Sequence, residues 1–99
     1  MYTATMHYKF KSENLEEACT LWEKEIFARA GKQKGCVRMQ FLVDHKKSEA
    51  MAIGTWEEPE FAAAFMRTGV FKNLLEKIRP FLVEDPLPHV WELRFFEEF

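Results

Sequence analysis

The sequence holds few side chains in the spacing that acid–base or metal chemistry requires. Cys19 and Cys36 form no CxxC pair, and the histidines His7, His45 and His89 are scattered along the chain. Metal sites need ligands that converge. Spacing supports no Ser-His-Asp set, carboxylate pair or phosphate-binding glycine loop. We therefore expect no metal site, and two reduced thiols that behave as small apolar side chains in a cytoplasmic protein.

The residues with the strongest chemical character are aromatic. Fifteen of the 99 residues are Phe, Tyr or Trp, and ten of these are Phe. Trp56 ends a run in which the small residues Ala52 and Gly54 occupy alternate positions. If Trp56 faces the interior, these two residues leave unfilled volume, and the pattern predicts a cavity walled by Trp56, Phe65 and Phe71. The alternative is that another ring, such as that of the helical tryptophan, fills this space, because cores normally close their voids.

Six elements are expected to position these residues. Apolar residues alternate over 2–10, 36–43, 49–56 and 89–96, which indicates four strands. Apolar stripes at spacings of three and four indicate a helix over about 15–30 and a second helix from Pro59, with a break near Gly69. The order βαββαβ predicts one α+β domain over 1–99: a ferredoxin-like sandwich with a four-stranded antiparallel sheet and two helices on one face.

Charge and hydropathy narrow the class of partner. Fourteen basic and sixteen acidic side chains give a net charge of −2, whereas a nucleic-acid partner calls for a basic face. The first residues show neither the basic nor the apolar region of a signal peptide, and no apolar run could span a bilayer. We expect neither a nucleic-acid nor a membrane partner.

Alternation also predicts the two faces of the sheet. The more apolar face should meet the helices and carry Ala4, Met6, Tyr8, Phe10, Val37, Met39, Phe41, Val43, Trp91, Leu93 and Phe95. The opposite face mixes apolar groups with polar ones, as a sheet packed on a second sheet would. This mixture predicts a homodimer through the face that carries Thr5, His7, Arg38, Gln40, Ile53, Glu92 and Arg94.

One stretch resembles a known family. Thr55-Trp56-Glu57-Glu58-Pro59-Glu60-Phe61, then Phe65 and Val70-Phe71-Lys72, with Gly35 before the second strand, resembles the antibiotic biosynthesis monooxygenase domain of the dimeric α/β-barrel superfamily. The resemblance implies a pocket between sheet and helices in each protomer. Some members of this family oxidise phenolic compounds with molecular oxygen and no cofactor.

Carried onto this sequence, the resemblance implies a cofactor-independent monooxygenase that oxidises a small aromatic or quinone-like compound. Trp56 would form a wall and donate a hydrogen bond through its indole. Strand parity adds Tyr8 as the second catalytic candidate. The predicted lining of the substrate pocket comprises Met6, Ala52, Gly54, Phe65, Phe71, Leu75 and Trp91.

Other functions on the same scaffold stay open. The predicted pocket is poor in acid–base groups, so a non-catalytic dimeric protein that binds a small ligand or serves in stress is the main alternative. An isomerase is a further one. A heme-degrading branch shares the Trp and the Phe-Lys pair, but it needs a helix histidine where this chain has Asn73-Leu74-Leu75-Glu76, and its polar strand residue falls at Met6.

Overall fold

The computed structural model describes all 99 residues and has the predicted element order. The strands are β1 (Tyr2–Lys9), β2 (Cys36–Asp44), β3 (Glu49–Trp56) and β4 (Leu87–Glu92). They form one antiparallel sheet in the order β2-β3-β1-β4. The predicted ferredoxin-like architecture is confirmed, and no helix is both long and apolar enough to cross a membrane.

The first helical stretch is continuous but not uniform. A 3₁₀ turn (Ser12–Asn14) leads into α1 (Leu15–Trp22), then a π-helical turn (Glu23–Phe27) and α2 (Ala28–Ala30). The predicted apolar stripe is buried at Leu15, Ala18, Trp22, Ile26 and Ala30. The wider π-helical turn is a feature that the residue spacing did not predict.

The second helix is broken near Gly69, as predicted. It comprises α3 (Pro59–Met66) and α4 (Gly69–Ile78), and a 3₁₀ turn (Arg79–Phe81) follows. The break has a local cause, because the Thr68 hydroxyl accepts a hydrogen bond from the backbone N–H of Phe71 at 3.4 Å and caps α4. Between the helices and the sheet lies one core, with Tyr8, Ile26, Leu74 and Ile78 fully buried.

The side-chain orientations predicted from the sequence are correct in β3 but wrong in β4. Ala52 pairs with Met6 and Gly54 with Ala4 across β1, so both small residues face the helices as expected. In contrast, Trp91 pairs with Thr3 and donates a hydrogen bond to the Thr5 hydroxyl at 3.0 Å, which places it on the opposite face. β4 is an exposed edge strand that no helix covers, so apolarity there does not indicate the interior.

The remaining corrections concern the two edge strands of the sheet, β4 and β2. β4 ends at Glu92, so Leu93, Arg94 and Phe95 lie beyond the strand. Glu92 pairs with Tyr2 and therefore lies on the helix side of the sheet, not on the predicted dimer face. Val37 stands at an irregularity in β2 and is exposed rather than inward-facing.

Candidate functional site

A small apolar cavity lies between the sheet and the helical layer. Its volume is about 40 Å³, and ten of its twelve lining residues are hydrophobic. The lining comprises Ala4, Thr5, Met6, Trp22, Met39, Ala52, Gly54, Trp56, Ala62, Phe65, Met66 and Phe71. The predicted cavity therefore exists, although neighbouring side chains fill most of the space that a larger ligand would need.

Gly54 creates the space beside Trp56. A Cβ at this position would lie 2.9 Å from Trp56 Nε1 and 3.3 Å from both Sδ and Cε of Met39. Met39 is the cross-strand partner of Gly54. Trp56 packs against Phe65 with the ring centroids 5.6 Å apart, and Phe65 packs against Phe71 at 5.9 Å. The three aromatic walls predicted from the sequence are thus brought together.

The indole N–H of Trp56 is a free donor in this cavity. The N–H of Trp22 donates to Tyr8 and that of Trp91 donates to Thr5, whereas Trp56 Nε1 has no acceptor among the protein's hydrogen bonds. Trp56 is only 2% exposed. Every side-chain nitrogen that is fully enclosed by protein has a hydrogen-bond partner, so the unpartnered Nε1 of Trp56 is not fully enclosed. Gly54 also lines the cavity and a Cβ there would lie 2.9 Å from Trp56 Nε1, so the N–H lies beside the cavity and can donate to an oxygen atom of a molecule bound there.

Tyr8 does not reach the cavity. It is fully buried beside Phe10, with the two rings stacked at 5.5 Å. Its hydroxyl accepts the hydrogen bond of Trp22 Nε1 at 3.1 Å. Desolvation raises the pKa of Tyr8 to about 12, against the smaller opposing effect of that hydrogen bond. Tyr8 is therefore protonated at neutral pH and positions Trp22 rather than touching a ligand.

Two further predicted lining residues lie elsewhere, and six unpredicted ones take part. Leu75 packs at the edge of the core, and Trp91 lies on the other sheet face. The additional lining residues are Ala4, Thr5, Trp22, Met39, Ala62 and Met66. Strand pairing could have indicated Met39, opposite Gly54, and helix periodicity could have indicated Ala62, one turn before Phe65.

Three of the lining residues are methionines, which makes the cavity adaptable. Met6, Met39 and Met66 have flexible, unbranched side chains that repack readily. A volume of 40 Å³ gives room for roughly two or three water-sized molecules. A molecule with an aromatic ring therefore enters only if these side chains move aside.

Gly35 and Phe61 hold the end of β3 that carries Trp56. Gly35 has a φ of +80°, and a Cβ there would lie 2.1 Å from Cδ2 of Phe61. The Gly35 carbonyl accepts a hydrogen bond from the N–H of Glu57 at 2.8 Å. Lys34 Nζ lies 5.4 Å from the centroid of the Phe61 ring. The glycine is required because both the backbone conformation and the ring above it exclude a side chain.

Solved structures share this architecture over almost the whole chain. A structure described as an antibiotic biosynthesis monooxygenase matches with a TM-score of 0.83 at 16% identity, covering 95% of this chain and 99% of the other. A proposed antibiotic biosynthesis monooxygenase from Nitrosomonas europaea matches with a TM-score of 0.86 at 12% identity, covering 96% and 100%. A conserved protein from Bacteroides thetaiotaomicron, described as a possible oxidoreductase, matches with a TM-score of 0.78 at 17% identity, covering 93% and 96%.

These matches show which fold the chain shares with known structures. The resemblance that the sequence indicated is confirmed at this level, because chains of nearly the same length adopt the same architecture. No protein-family model matches the chain. No curated protein matches it either. At identities of 17% and below, the shared fold does not establish an activity.

Proposed function

We propose that this protein is a monooxygenase that oxidises a small aromatic compound with molecular oxygen and needs no cofactor. The supporting observation is the free N–H of Trp56 in an otherwise apolar cavity. The architecture shared with structures described as monooxygenases points in the same direction. The cofactor independence follows from the family resemblance.

The reaction that this site suits begins with a phenolate. One electron passes from the phenolate to dioxygen, giving a phenoxyl radical and superoxide, which join at a ring carbon that bears hydrogen. The proton of that ring carbon then passes to solvent, the O–O bond of the resulting peroxide breaks, and a quinone remains. The oxygen atom that leaves departs as hydroxide, which solvent protonates to water. An N–H donor stabilises negative charge on oxygen most strongly where water is excluded, and Trp56 would supply that donor.

The cavity contains no group that could take the phenol proton. None of its twelve lining side chains titrates, and Tyr8 is a buried phenol that is protonated at neutral pH. The substrate must therefore bind as the phenolate or ionise through solvent. The rate should consequently rise with pH through the pKa of each substrate, rather than through one pKa common to all of them.

Oxygen uptake with a panel of hydroquinones and naphthols of different acidity tests this proposal. Trp56→Phe should lower kcat/KM on the order of 100-fold, because a single donor at a developing anion contributes that much. Trp91→Phe is the matched control, since Trp91 lies on the other sheet face. Equal activity of Trp56→Phe and wild type, or a pH profile independent of the substrate, would refute the assignment.

A non-catalytic protein that binds a small ligand is the second candidate. The absence of any titratable side chain from the cavity lining favours it. It predicts that naphthols bind and quench tryptophan fluorescence without consuming oxygen. Binding and oxygen uptake measured on the same samples separate the two functions.

We also propose a homodimer through the sheet face opposite the helices. Thr5, His7, Arg38, Gln40 and Ile53 share this face through their pairing register. Leu42 and Trp91 are about half exposed there. The chain's last residues reach the same face, because Arg38 contacts Glu98 and lies 4.6 Å from the centroid of the Phe96 ring.

Light scattering coupled to gel filtration tests the dimer. Ile53→Glu places a charge at the middle of the face and should yield a species of 11.8 kDa. Thr20→Glu adds the same charge on the exposed side of α1 and serves as the control. A monomeric wild type, or an Ile53→Glu variant that stays dimeric, would contradict the proposed interface.

Both thiols, Cys19 and Cys36, are free. Free thiols persist in reducing compartments. This supports our proposal that the protein acts in the cytoplasm.

A further inference from the structure

A second concave surface lies on the other side of Trp22, between the first helical stretch and the edge strand β2. This groove has a volume of about 270 Å³, close to the lower end of small-molecule sites. It is lined by Cys19, Trp22, Glu23, Phe27, Phe41 and Val43. Trp22 also lines the cavity, so its indole forms a wall common to both.

The π-helical turn produces the aromatic character of the groove. Trp22 and Phe27 are five residues apart, a spacing that places side chains on different faces of an α-helix but closer together across the wider, i→i+5 hydrogen-bonded turn of a π-helix. Their rings meet edge to face at 5.7 Å, and Trp22 also meets Phe41 of β2 at 4.9 Å. Phe27 nevertheless remains 39% exposed. The turn thus presents an aromatic ring to solvent beside two others.

Glu23 is the only charged residue in this lining, and it has no cationic partner. None of the protein's ion pairs involves Glu23. Glu25, two residues further on, contacts both Lys77 and Arg29. An unpaired carboxylate next to three aromatic rings is chemically suited to a cation, because the faces of aromatic rings also attract positive charge.

We propose that this groove binds a small organic ammonium ion. The alkyl groups of the ion would contact Phe27, Phe41 and Val43, and its charge would lie near the carboxylate of Glu23. The site is separate from the cavity, and the proposal does not depend on the oxygenase activity. A neutral aromatic molecule has no use for the Glu23 charge, so the two ligand classes can be distinguished.

Choline and its neutral carbon analogue, dimethylbutanol, are suitable probes because they share a shape and differ in charge. The readout is alkylation of Cys19 by N-ethylmaleimide, followed by peptide mass spectrometry. Cys19 lines the groove, whereas Cys36 lines neither the groove nor the cavity and serves as an internal control. Burial raises the pKa of the Cys19 thiol, so labelling is performed at mildly alkaline pH.

Choline should slow alkylation of Cys19, but not of Cys36, at a concentration roughly 3- to 30-fold lower than dimethylbutanol requires. Glu23→Gln keeps the shape of the groove and should reduce this difference to the part that the aromatic rings contribute. Glu17→Gln, an exposed position on the same helix outside the groove, should leave it unchanged. Equal protection by both probes, protection by neither, or a preference as large in Glu23→Gln as in the wild type would overturn the proposal.

Discussion

Replacing Gly35 by alanine should destabilise the protein strongly. The left-handed backbone conformation costs a residue with a Cβ about 1–2 kcal/mol. The Cβ would also lie 2.1 Å from the Phe61 ring, so the ring must move, and such overpacking costs about 1–3 kcal/mol. Together we expect a loss of about 2–5 kcal/mol in the free energy of unfolding. This is a large part of the roughly 5–15 kcal/mol typical of a domain.

Urea denaturation followed by circular dichroism measures this loss. Gly31→Ala is the matched control, because it has an ordinary helical backbone and nothing lies within 4 Å of the added Cβ. It should be neutral or slightly stabilising. In a Phe61→Ala background the cost of Gly35→Ala should fall by the overpacking part and keep the backbone part. A Gly35→Ala variant within about 0.5 kcal/mol of wild type would refute the reasoning.

The remaining predictions concern Tyr8, Lys77 and Gly54. Since burial raises the pKa of Tyr8 from 10.0 to about 12, the folded state keeps its proton where the unfolded state loses it, and the free energy of unfolding should decline by roughly 2 kcal/mol as pH rises from 10 to 12. Tyr8→Phe should remove this decline in alkaline urea titrations. Near neutral pH the same change should cost about 1–3 kcal/mol, because the Trp22 N–H loses its acceptor. The hydrogen bond from Lys77 lowers the pKa of Glu25, so the stability that this pair contributes is lost as pH falls through the lowered pKa. Lys77→Met should therefore reduce the shift of the urea midpoint on acidification. An unchanged shift would show that the acid sensitivity does not come from this pair. Gly54→Ala places a methyl group 2.9 Å from Trp56 Nε1 and should abolish naphthol quenching of tryptophan fluorescence while the fold persists; unchanged quenching would place the ligand outside the cavity.

Much of the fold follows from local patterns. The helical stripe from Leu15 to Ala30 and the alternation in β1 each require one face to be buried, so they define both the element and its orientation. In β3 neither face is plainly polar, and the orientation followed only from placing Trp56 in the interior. Ala52 and Gly54 indicated space beside Trp56 but left open whether another ring fills it, and the structure has a small cavity there. The lack of room for a side chain at Gly35, by contrast, is seen only in the structure.

Sequence patterns gave wrong predictions in two situations. In one, both faces of a strand carry apolar residues. In the other, the distance of a side chain from the cavity decides whether it can contact a ligand. In β4, Val90 and Trp91 both appear suited to a core, and only pairing with Thr3 and Ala4 assigns their faces. Tyr8 is correctly inward, but its depth and its hydrogen bond with Trp22 remove it from the cavity. The π-helical turn that brings Phe27 to Trp22 has no counterpart in the residue spacing, which is equally compatible with a continuous α-helix.

The sequence alone therefore determined which residues lie in the interior of β1 and the helices, because hydrophobic periodicity is a property of neighbours along the chain. The tertiary structure decided the volume of the cavity, the free N–H of Trp56 and the composition of the groove. Each of these depends on contacts of a few ångströms between residues distant in the chain, and periodicity carries no information about such distances.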